Sequence, residues 1–573
     1  MKALQRTAYH CFTRLAVTAL IFGAPACKSA KVKDDAKAAA KAKTVEPALD
    51  RKSESKGAQP GGHLRLPSAE PRYLDPVIQT QFDRASHLIF EGLVGLGIRL
   101  EPVPCLASKW DLSQDGKTLT FTLRRDVEWH DGQPFTARDV AFTFQAIRNV
   151  GAATLWRAYM ASVASLETPD DHTVVVKYKE PYGPALVAWT VGILPAHLYG
   201  QGDLVQSKYN REAVGTGPYK LARWEPGQRM VLQANRDWWY REGERKLPYI
   251  DSIEFVFTIP VKDTLDALEN GLIDFAEILD VDLWVNRVQS AELREGFEAS
   301  DVAEAQFRVI AWNTQRPMFA DKRVRQALTY SLDRSRVIDD VLYRSAQALS
   351  APFFPTMYGA DPSIAPWPFD LDKATKLLDV AGHPRKSDHP RFTIDMIALQ
   401  SQEHAVTHAT MGIFRNDLRA IGVELKLTYL DTAEFFDRLV AGKYDAVYFG
   451  WLPDIPDPDP YGLLHSSMIG AGSNYARYSN AEIDKLLDSA RAATNADERK
   501  ALYHQLHRIL HDEQPYTVLY APMGHYVWSR RLHGVNPNDI SGQPRFPGLA
   551  RWWIASPGTG AQPPGQPTES TSP

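Results

Sequence analysis

Strand-type and helix-type patterns alternate along almost the whole body of the chain, and this alternation restricts the fold more than any other feature. Apolar and polar residues take turns in 423–429, which predicts a strand with one buried face. Segments 253–257 and 174–176 are predicted as strands too. Helical segments lie between the strands, so the sequence predicts an α/β or α+β architecture.

Three helices have starts that the sequence marks. Ser479, with a glutamate three residues later, predicts a capping box, and Thr136, with an aspartate at the same spacing, predicts a weaker one. Asp372 is predicted to open a further helix. Gly382 is predicted to end that helix, since glycine favours the left-handed conformation that follows a helix.

Length and charge limit the classes of protein to which the chain can belong. The 573 residues allow roughly three or four domain-sized units. The net charge is −4 and the folded part has no strongly basic block, so the composition argues against a nucleic-acid partner. No apolar stretch approaches the roughly 20 residues that a membrane-spanning helix needs.

Residues 1–27 have the features of an export signal. Basic residues precede a short apolar run at 15–22, and small residues then lead to Cys27. This ending resembles a bacterial lipobox, which implies that Cys27 is acylated and becomes the first residue of the mature protein. The alternative is ordinary cleavage after 24–26, where Ala-Pro-Ala suits a signal peptidase and alanine replaces the usual lipobox leucine.

Low-complexity segments flank the body. Residues 28–61 are rich in Lys, Ala, Asp, Glu and Ser and bury too little apolar surface to offset the entropy of ordering, so we expect a flexible tether. We expect residues 556–573 to be a disordered tail. Cys105 is the one cysteine of the body, which excludes an intramolecular disulfide there.

A series of short motifs follows along the body, from about residue 62 to 550. The motifs lie at 74–76, 89–93, 106–110, 115–121, 129–136, 214–219 with Asn235 and Trp238, 313–314, 324–328, 332–334, 444–459 and 480–487. Each is weak alone, but the set in this order resembles the extracellular solute-binding proteins of oligopeptide and dipeptide ABC importers.

This resemblance implies a two-lobed periplasmic-binding-protein clamp of the α/β class, with an extra domain inserted in the first lobe. The ligand would be enclosed between the lobes, and hinges near 311 and 525 would absorb closure. The implied segments are 62–98, 213–310 and 526–555 for lobe one, 99–212 for the inserted domain and 311–525 for lobe two.

Segment 450–460 carries the most specific functional prediction. It follows the apolar strand 446–449, and open α/β sheets often bind ligands where strands end. In peptide-binding members of the family, the aspartate of Gly-Trp-x-x-Asp holds the ligand's ammonium group, and Asp454 has that position here. The alternative for Asp454 is a turn-capping role beside proline.

The resemblance places further residues at the ligand. They are Gly450, Trp451, Leu452 and Asn474 from lobe two, and Thr80 and Phe82 from lobe one. Packing in the core is the alternative for Trp451. We expect Asp457 and Asp459 to be turn or surface acids.

The sequence thus predicts a receptor, not an enzyme, that binds short extended peptides. The same clamp with a metal chelate, haem, an oligosaccharide or an opine is the alternative. Glycosidase chemistry is remote, because it needs two carboxylates facing across a sugar and the proline-separated acids of 454–459 do not provide them. His404 and His408 have the spacing of a zinc site but lack the glutamate of His-Glu-x-x-His, so an exposed helix face explains them better.

The expected partners follow from the receptor hypothesis. We expect a monomer that meets the permease of an ABC importer, with no cofactor and no nucleic acid. We expect an extracytoplasmic, periplasmic location with attachment to a bacterial membrane through Cys27, and the sequence leaves the choice of membrane open.

Overall fold

Three sheets of four or more strands form the body of the molecule. The computed structural model describes residues 58–555, apart from 80–82, 99, 151–153, 155, 201, 305, 355–357, 387–388, 401–403, 452–458 and 540–544. Within these residues, two sheets have four strands each and a third has eight. Helices lie between the strands throughout, so the predicted mixed architecture is confirmed.

The first sheet joins the start of the body to strands far along the chain. His63–Pro67 pairs in parallel with Ser252–Val256, which confirms the strand predicted at 253–257 within one residue. Arg229–Ala234 and Tyr219–Glu225 extend the sheet by antiparallel pairing. Segments on either side of 99–212 therefore share one sheet.

The second sheet lies wholly within 99–212. Its four antiparallel strands are, in spatial order, Ala107–Leu112, Thr118–Leu123, Thr173–Tyr178 and Val163–Asp170. The helix Ala137–Asn149 packs beside this sheet. The backbone N–H of Thr136 donates to the carboxylate of Asp139 at 2.9 Å, so the predicted capping box is confirmed.

The third sheet forms the centre of the second half. Its main path is Phe275–Glu277, Tyr516–Ser529, Phe307–Trp312, Ala446–Trp451, Phe392–Leu399 and Val423–Leu430. Phe297–Ala303 and Ala346–Ala348 also pair with Tyr516–Ser529. Separate apolar clusters cover its two faces, with Val309 in one and Ile310 in the other, so its central strands are buried on both sides.

Helices cover this third sheet. Of the helices whose starts were predicted, one begins earlier in the structure and another begins later. The larger ones are Lys322–Tyr330, Leu371–Val380, His404–Ala420, Thr432–Ala441, Ala481–Ala492 and Ala496–Glu513. Asp370, not Asp372, caps the second, and Asn480, not Ser479, caps the fifth. Several polar residues stand side by side at both starts, and the backbone conformation decides which of them reaches the unpaired N–H groups.

The strand Tyr516–Ser529, called here the crossing strand, links the two halves of the molecule. Its first part, 516–520, pairs with Phe307–Trp312, and its second part, 523–529, pairs with Phe297–Ala303. Phe297–Ala303 ends just before Phe307–Trp312 begins. The chain therefore passes between the halves between 303 and 307 and at about 520–523.

Motifs that are distant in the sequence meet around the buried carboxyl group of Glu91. The indole N–H groups of Trp238 and Trp239 donate to its two oxygens at 3.1 and 3.0 Å. The Sγ atom of Cys105 lies 3.7 Å from one of these oxygens. Burial raises the pKa of Glu91 to about 7.

Gly215 → Ala should destabilise the first half strongly. A Cβ atom at Gly215 would lie 1.8 Å from the carbonyl oxygen of Ile89, and a backbone atom cannot move aside without disturbing the Glu91 motif. We expect a loss of about 3 kcal/mol in the free energy of unfolding, measured in urea. Gly412 → Ala is the matched control, since its Cβ would meet nothing within 4 Å inside a helix. Equal stability of the two variants would contradict this packing.

Candidate functional site

The strand Ala446–Trp451, called here the site strand, carries the predicted ligand segment at its carboxyl end. It lies between Phe307–Trp312, to which it is antiparallel, and Phe392–Leu399, to which it is parallel. Gly450 and Trp451 are its last two residues. Four predicted site residues and the predicted lipidation site lie outside the described residues, and their roles stay predictions: Leu452, Asp454, Thr80, Phe82 and Cys27.

Gly450 has a structural reason to be glycine. It pairs with Arg308 across the sheet, and a Cβ atom at Gly450 would lie 2.8 Å from Nη1 of that arginine. The guanidinium group therefore lies close to the next-to-last residue of the site strand. Arg308 was not predicted as a site residue. The feature that could have indicated it is its charge, since Arg308 is the one charged residue of the strand Phe307–Trp312, whose six residues are all buried.

Trp451, the last residue of the site strand, lies at the edge of the apolar core. It is half-buried and packs against a cluster that contains Phe307 and Phe449. Leu100, from the hairpin loop at the start of the inserted segment, packs against the same cluster. Packing against the core thus accounts for part of the Trp451 side chain, and its contact with a ligand stays a prediction.

Asn474 has a structural role in its loop. It is 1% exposed, and its Nδ2 atom donates to the carbonyl oxygens of Leu464, His465 and Tyr478 at 3.2, 3.1 and 2.8 Å. Its Oδ1 atom accepts from the backbone N–H of Tyr478. The amide is thus used in holding the segment that follows the ligand loop, and direct contact with a ligand stays a prediction.

Asp459, near the end of the ligand segment, accepts hydrogen bonds in a turn, as expected for a turn acid. One carboxylate oxygen accepts from the backbone N–H of Tyr461 at 3.0 Å, and the other accepts from Nε of Arg491 at 2.6 Å. The Arg491 guanidinium lies 3.5 Å from the centre of the Tyr461 ring. These contacts fix the far end of the loop, whereas Asp457 lies outside the described residues.

Several polar side chains lie along the crossing between the two halves of the molecule. Arg84, which follows the segment of Thr80 and Phe82, forms an ion pair with Glu277 at 3.2 Å. Glu277 pairs with Tyr526 of the crossing strand. The site that a Cβ atom of Gly524 would occupy lies 2.6 Å from Glu304 and 2.9 Å from the Tyr526 ring.

Further polar side chains lie between the crossing and the site strand. Glu304 is hydrogen-bonded to the side-chain amide of Gln306. The Oε1 atom of Gln306 accepts from Nη1 of Arg308 at 2.9 Å, and Arg308 lies over Gly450. These polar side chains follow the crossing between the halves as far as Gly450, the next-to-last residue of the site strand.

The inserted segment touches the helices of the second half at a separate place. A Cβ atom at Gly183 would approach the carbonyl oxygen of Ala493 to 2.6 Å and Nε of Arg499 to 3.0 Å. A Cβ atom at Gly116 would lie 2.8 Å from the methyl group of Thr494. Glycine at these positions allows close backbone contact between the two parts.

Neither a metal centre nor a membrane span is found in the part of the chain that the structure describes. No group of three His, Cys, Asp or Glu residues there is arranged to hold a metal ion. The ring of His408 stacks on Tyr429 at 4.1 Å. Among the same residues, no helix combines the length and the apolar character required to cross a bilayer.

Comparison with known proteins gives matches over most of the chain. The model of the family "Bacterial extracellular solute-binding proteins, family 5 Middle" matches residues 101–471. Oligopeptide-binding protein AppA of Bacillus subtilis is 27% identical over 521 residues, 87% of this chain and 92% of AppA. Di/tripeptide-binding protein 2 of Pseudomonas aeruginosa is 27% identical over 522 residues, 84% of this chain and 94% of the relative.

Solved structures are similar over the same extent. AppA of Bacillus subtilis in complex with a nonapeptide has a TM-score of 0.67 at 25% identity, covering 87% of this chain and 100% of that one. NikZ of Campylobacter jejuni in complex with Ni(L-His) has a TM-score of 0.69 at 26% identity, covering 86% and 99%. The predicted two-lobed α/β fold is confirmed by these structures.

Proposed function

Because the chain belongs to the bacterial extracellular solute-binding proteins of family 5, we propose that it is a receptor that encloses short peptides and delivers them to the permease of an ABC importer. The observation that carries this proposal is the similarity to AppA over 87% of the chain. The end of the site strand beside the lobe crossing supports it, since a ligand there would touch both lobes.

The lobe boundaries are part of the proposal. Lobe one comprises 62–98, 213–310 and 526–555, the inserted domain 99–212, and lobe two 311–525. The parallel pairing of His63–Pro67 with Ser252–Val256 supports this division. Strand pairing changes between 303 and 307 and at about 520–523, so we propose that the hinges and the two lobe boundaries lie there, a few residues before the positions expected from sequence.

Asp454 is proposed to hold the ammonium group of the peptide. A charge-assisted hydrogen bond to a fixed carboxylate is stronger and more directional than a neutral one. Gly450, Trp451 and Leu452 would line the site beside it. Thr80 and Phe82 would close the site from lobe one, and Asn474 would hold the loop that supports it.

The second candidate function is the same clamp with a metal chelate as cargo, which the likeness to NikZ favours. Calorimetric titration of ligand-free protein separates the two candidates. The peptide function predicts saturable binding of trialanine and no binding of nickel–histidine. Binding of the chelate alone would replace the peptide function with the second candidate.

Membrane attachment through Cys27 is proposed for the mature protein, with residues 28–61 as a tether. Cys27 → Ser should move the protein from the membrane pellet to the soluble fraction, because acyl chains supply the anchor. Fractionation of cells that express the full chain measures this. The variant Cys105 → Ser is the control, since that thiol is buried in the body. Continued pelleting of Cys27 → Ser would contradict lipidation.

A further inference from the structure

The two halves of the molecule also meet away from the crossing strand, at a place called here the turn contact. On one side are the turns of the inserted segment at Gly116 and Gly183. On the other side is the turn 493–495, which joins the helices Ala481–Ala492 and Ala496–Glu513 of the second half. The chain itself passes between the halves at the crossing, so the turn contact is held by non-covalent interactions.

Glycine allows the two sides to touch through their backbones. A Cβ atom at Gly183 would lie 2.6 Å from the carbonyl oxygen of Ala493 and 3.2 Å from that of Ala490. A Cβ atom at Gly116 would lie 2.8 Å from the methyl group of Thr494. A side chain at position 183 would force the two sides apart, because backbone oxygens cannot rotate out of its way.

The side that belongs to the second half is rigid. Arg499 is 5% exposed, and its Nε atom donates to the carbonyl oxygen of Ala490 at 3.0 Å, which ties the second helix to the end of the first. Its Nη2 atom donates to the hydroxyl group of Tyr503 at 3.0 Å. The side chain of Asn495 caps the second helix by accepting from the backbone N–H of Asp497 at 2.9 Å. These bonds hold the shape of the turn from within the second half.

The side that belongs to the inserted segment is stiff as well. Pro181 and Pro184 lie close to Gly183 on either side, and proline fixes the backbone angle φ. Lys117, in the neighbouring turn, forms an ion pair with Glu180 at 2.8 Å, although both side chains are exposed and such pairs are weak. Two stiff surfaces can meet and separate without the entropy cost of ordering a loop each time.

The turn contact is also suited to opening. The residues that these distances bring together are glycine, proline, alanine and threonine, which bury little apolar surface. Domains within one chain are expected to move relative to each other unless the interface between them is large and hydrophobic. The turn contact can therefore break and form again while each side keeps its own structure.

We propose that the turn contact is a catch that holds the receptor closed around its ligand and sets the rate at which the ligand leaves. This inference rests on the proposed function, and it gives the inserted segment a role that the proposed function does not. The ligand enters while the catch is open, so a weaker catch should speed dissociation and leave association unchanged. Such a division is usual, because most affinity differences between variants of one interface lie in the dissociation rate.

The first test is Gly183 → Ala in the whole mature chain, with trialanine as the probe. Stopped-flow tryptophan fluorescence at several peptide concentrations gives the association rate constant from the slope and the dissociation rate constant from the intercept. The dissociation rate constant should rise about tenfold, and the association rate constant should stay within about twofold. Gly412 → Ala is the matched control, since its Cβ atom would meet nothing within 4 Å, and it should change neither rate constant.

Thr494 → Tyr tests the same contact from the second half. Thr494 is exposed, so a larger side chain there leaves the core of its own half intact but meets the turn of Gly116. This variant should also raise the dissociation rate constant several-fold. The double variant with Gly183 → Ala should exceed the larger single effect by no more than about twofold, because both changes break one contact.

Urea unfolding without ligand separates a catch from a permanent interface. Gly183 → Ala should unfold at the same urea concentration as the unmodified protein, because opening the contact relieves the clash. Unchanged dissociation in both single variants, with or without a loss of stability, would overturn the catch and leave the peptide function intact. If Gly183 → Ala does not fold, the contact is permanent and the catch is overturned. Failure of the unmodified protein to bind trialanine would overturn both the catch and the peptide function.

Discussion

Asp454 → Ala is expected to weaken peptide binding by about 2–5 kcal/mol, the usual cost of removing one partner of an enclosed charge pair. The ammonium group of the ligand would remain in the closed cleft without its counter-charge, having lost its water. Calorimetric titration of trialanine measures the change. Acetylation of the peptide amine should cost the unmodified protein a similar amount and should cost the variant little.

Asp457 → Ala is the control for this experiment, because Asp457 belongs to the same proline-rich loop and is expected to be a turn or surface acid. It should change the affinity by less than about 0.5 kcal/mol. Unchanged affinity in Asp454 → Ala, or an equal loss in both variants, would remove Asp454 from the ligand. The loop would then act through its shape alone.

Glu91 → Ala is expected to have the second large effect, on stability and not on ligand contact. The substitution leaves the indole N–H groups of Trp238 and Trp239 buried without an acceptor, and each such group costs about 1–3 kcal/mol. We therefore expect a loss of about 4 kcal/mol in the free energy of unfolding. Tryptophan fluorescence in urea measures it, and a loss below 1 kcal/mol would contradict the role of this carboxyl group.

The same group should make stability depend on pH. Burial raises the pKa of Glu91 from 4.5 to about 7, so the folded protein keeps a proton that the unfolded chain releases between these values. This contribution is present in full below pH 4.5 and is lost as the pH rises through 7. Its size is on the order of 3 kcal/mol, at about 1.4 kcal/mol for each unit of pKa.

Glu91 → Gln isolates that contribution, because every other titrating group remains in both proteins. The fall in unfolding free energy between pH 5 and pH 8 should be smaller in the variant than in the unmodified chain. Parallel pH profiles for the two proteins would show that Glu91 titrates normally.

The sequence predicted the strands and helices better than it predicted which of them contact one another. The strands predicted at 446–449 and 423–429 follow from local apolar patterns, and in the structure they extend two residues and one residue further. Arg308 and the Glu91 cluster could not be derived in this way. Their environments are formed by strands and motifs that are distant along the chain, and no local pattern shows which ones meet.

The hydrogen-bond partners of Asn474 could not be predicted from the sequence either. The family resemblance predicts a ligand contact for Asn474, which stays a prediction, and the structure shows its amide bonded to three carbonyl oxygens of its own loop. A residue that shapes a binding loop and a residue that touches the ligand occupy similar places in sequence. Only the hydrogen-bond partners separate them.

Native mass spectrometry of a soluble form that begins at Lys28, purified without denaturant, tests the central claim most directly. A receptor that encloses peptides should retain some of them through purification. The peptide function predicts bound masses that fragment as short peptides and that are lost in Asp454 → Ala. A bound metal chelate or sugar, or an empty protein that takes up no added peptide, would contradict it.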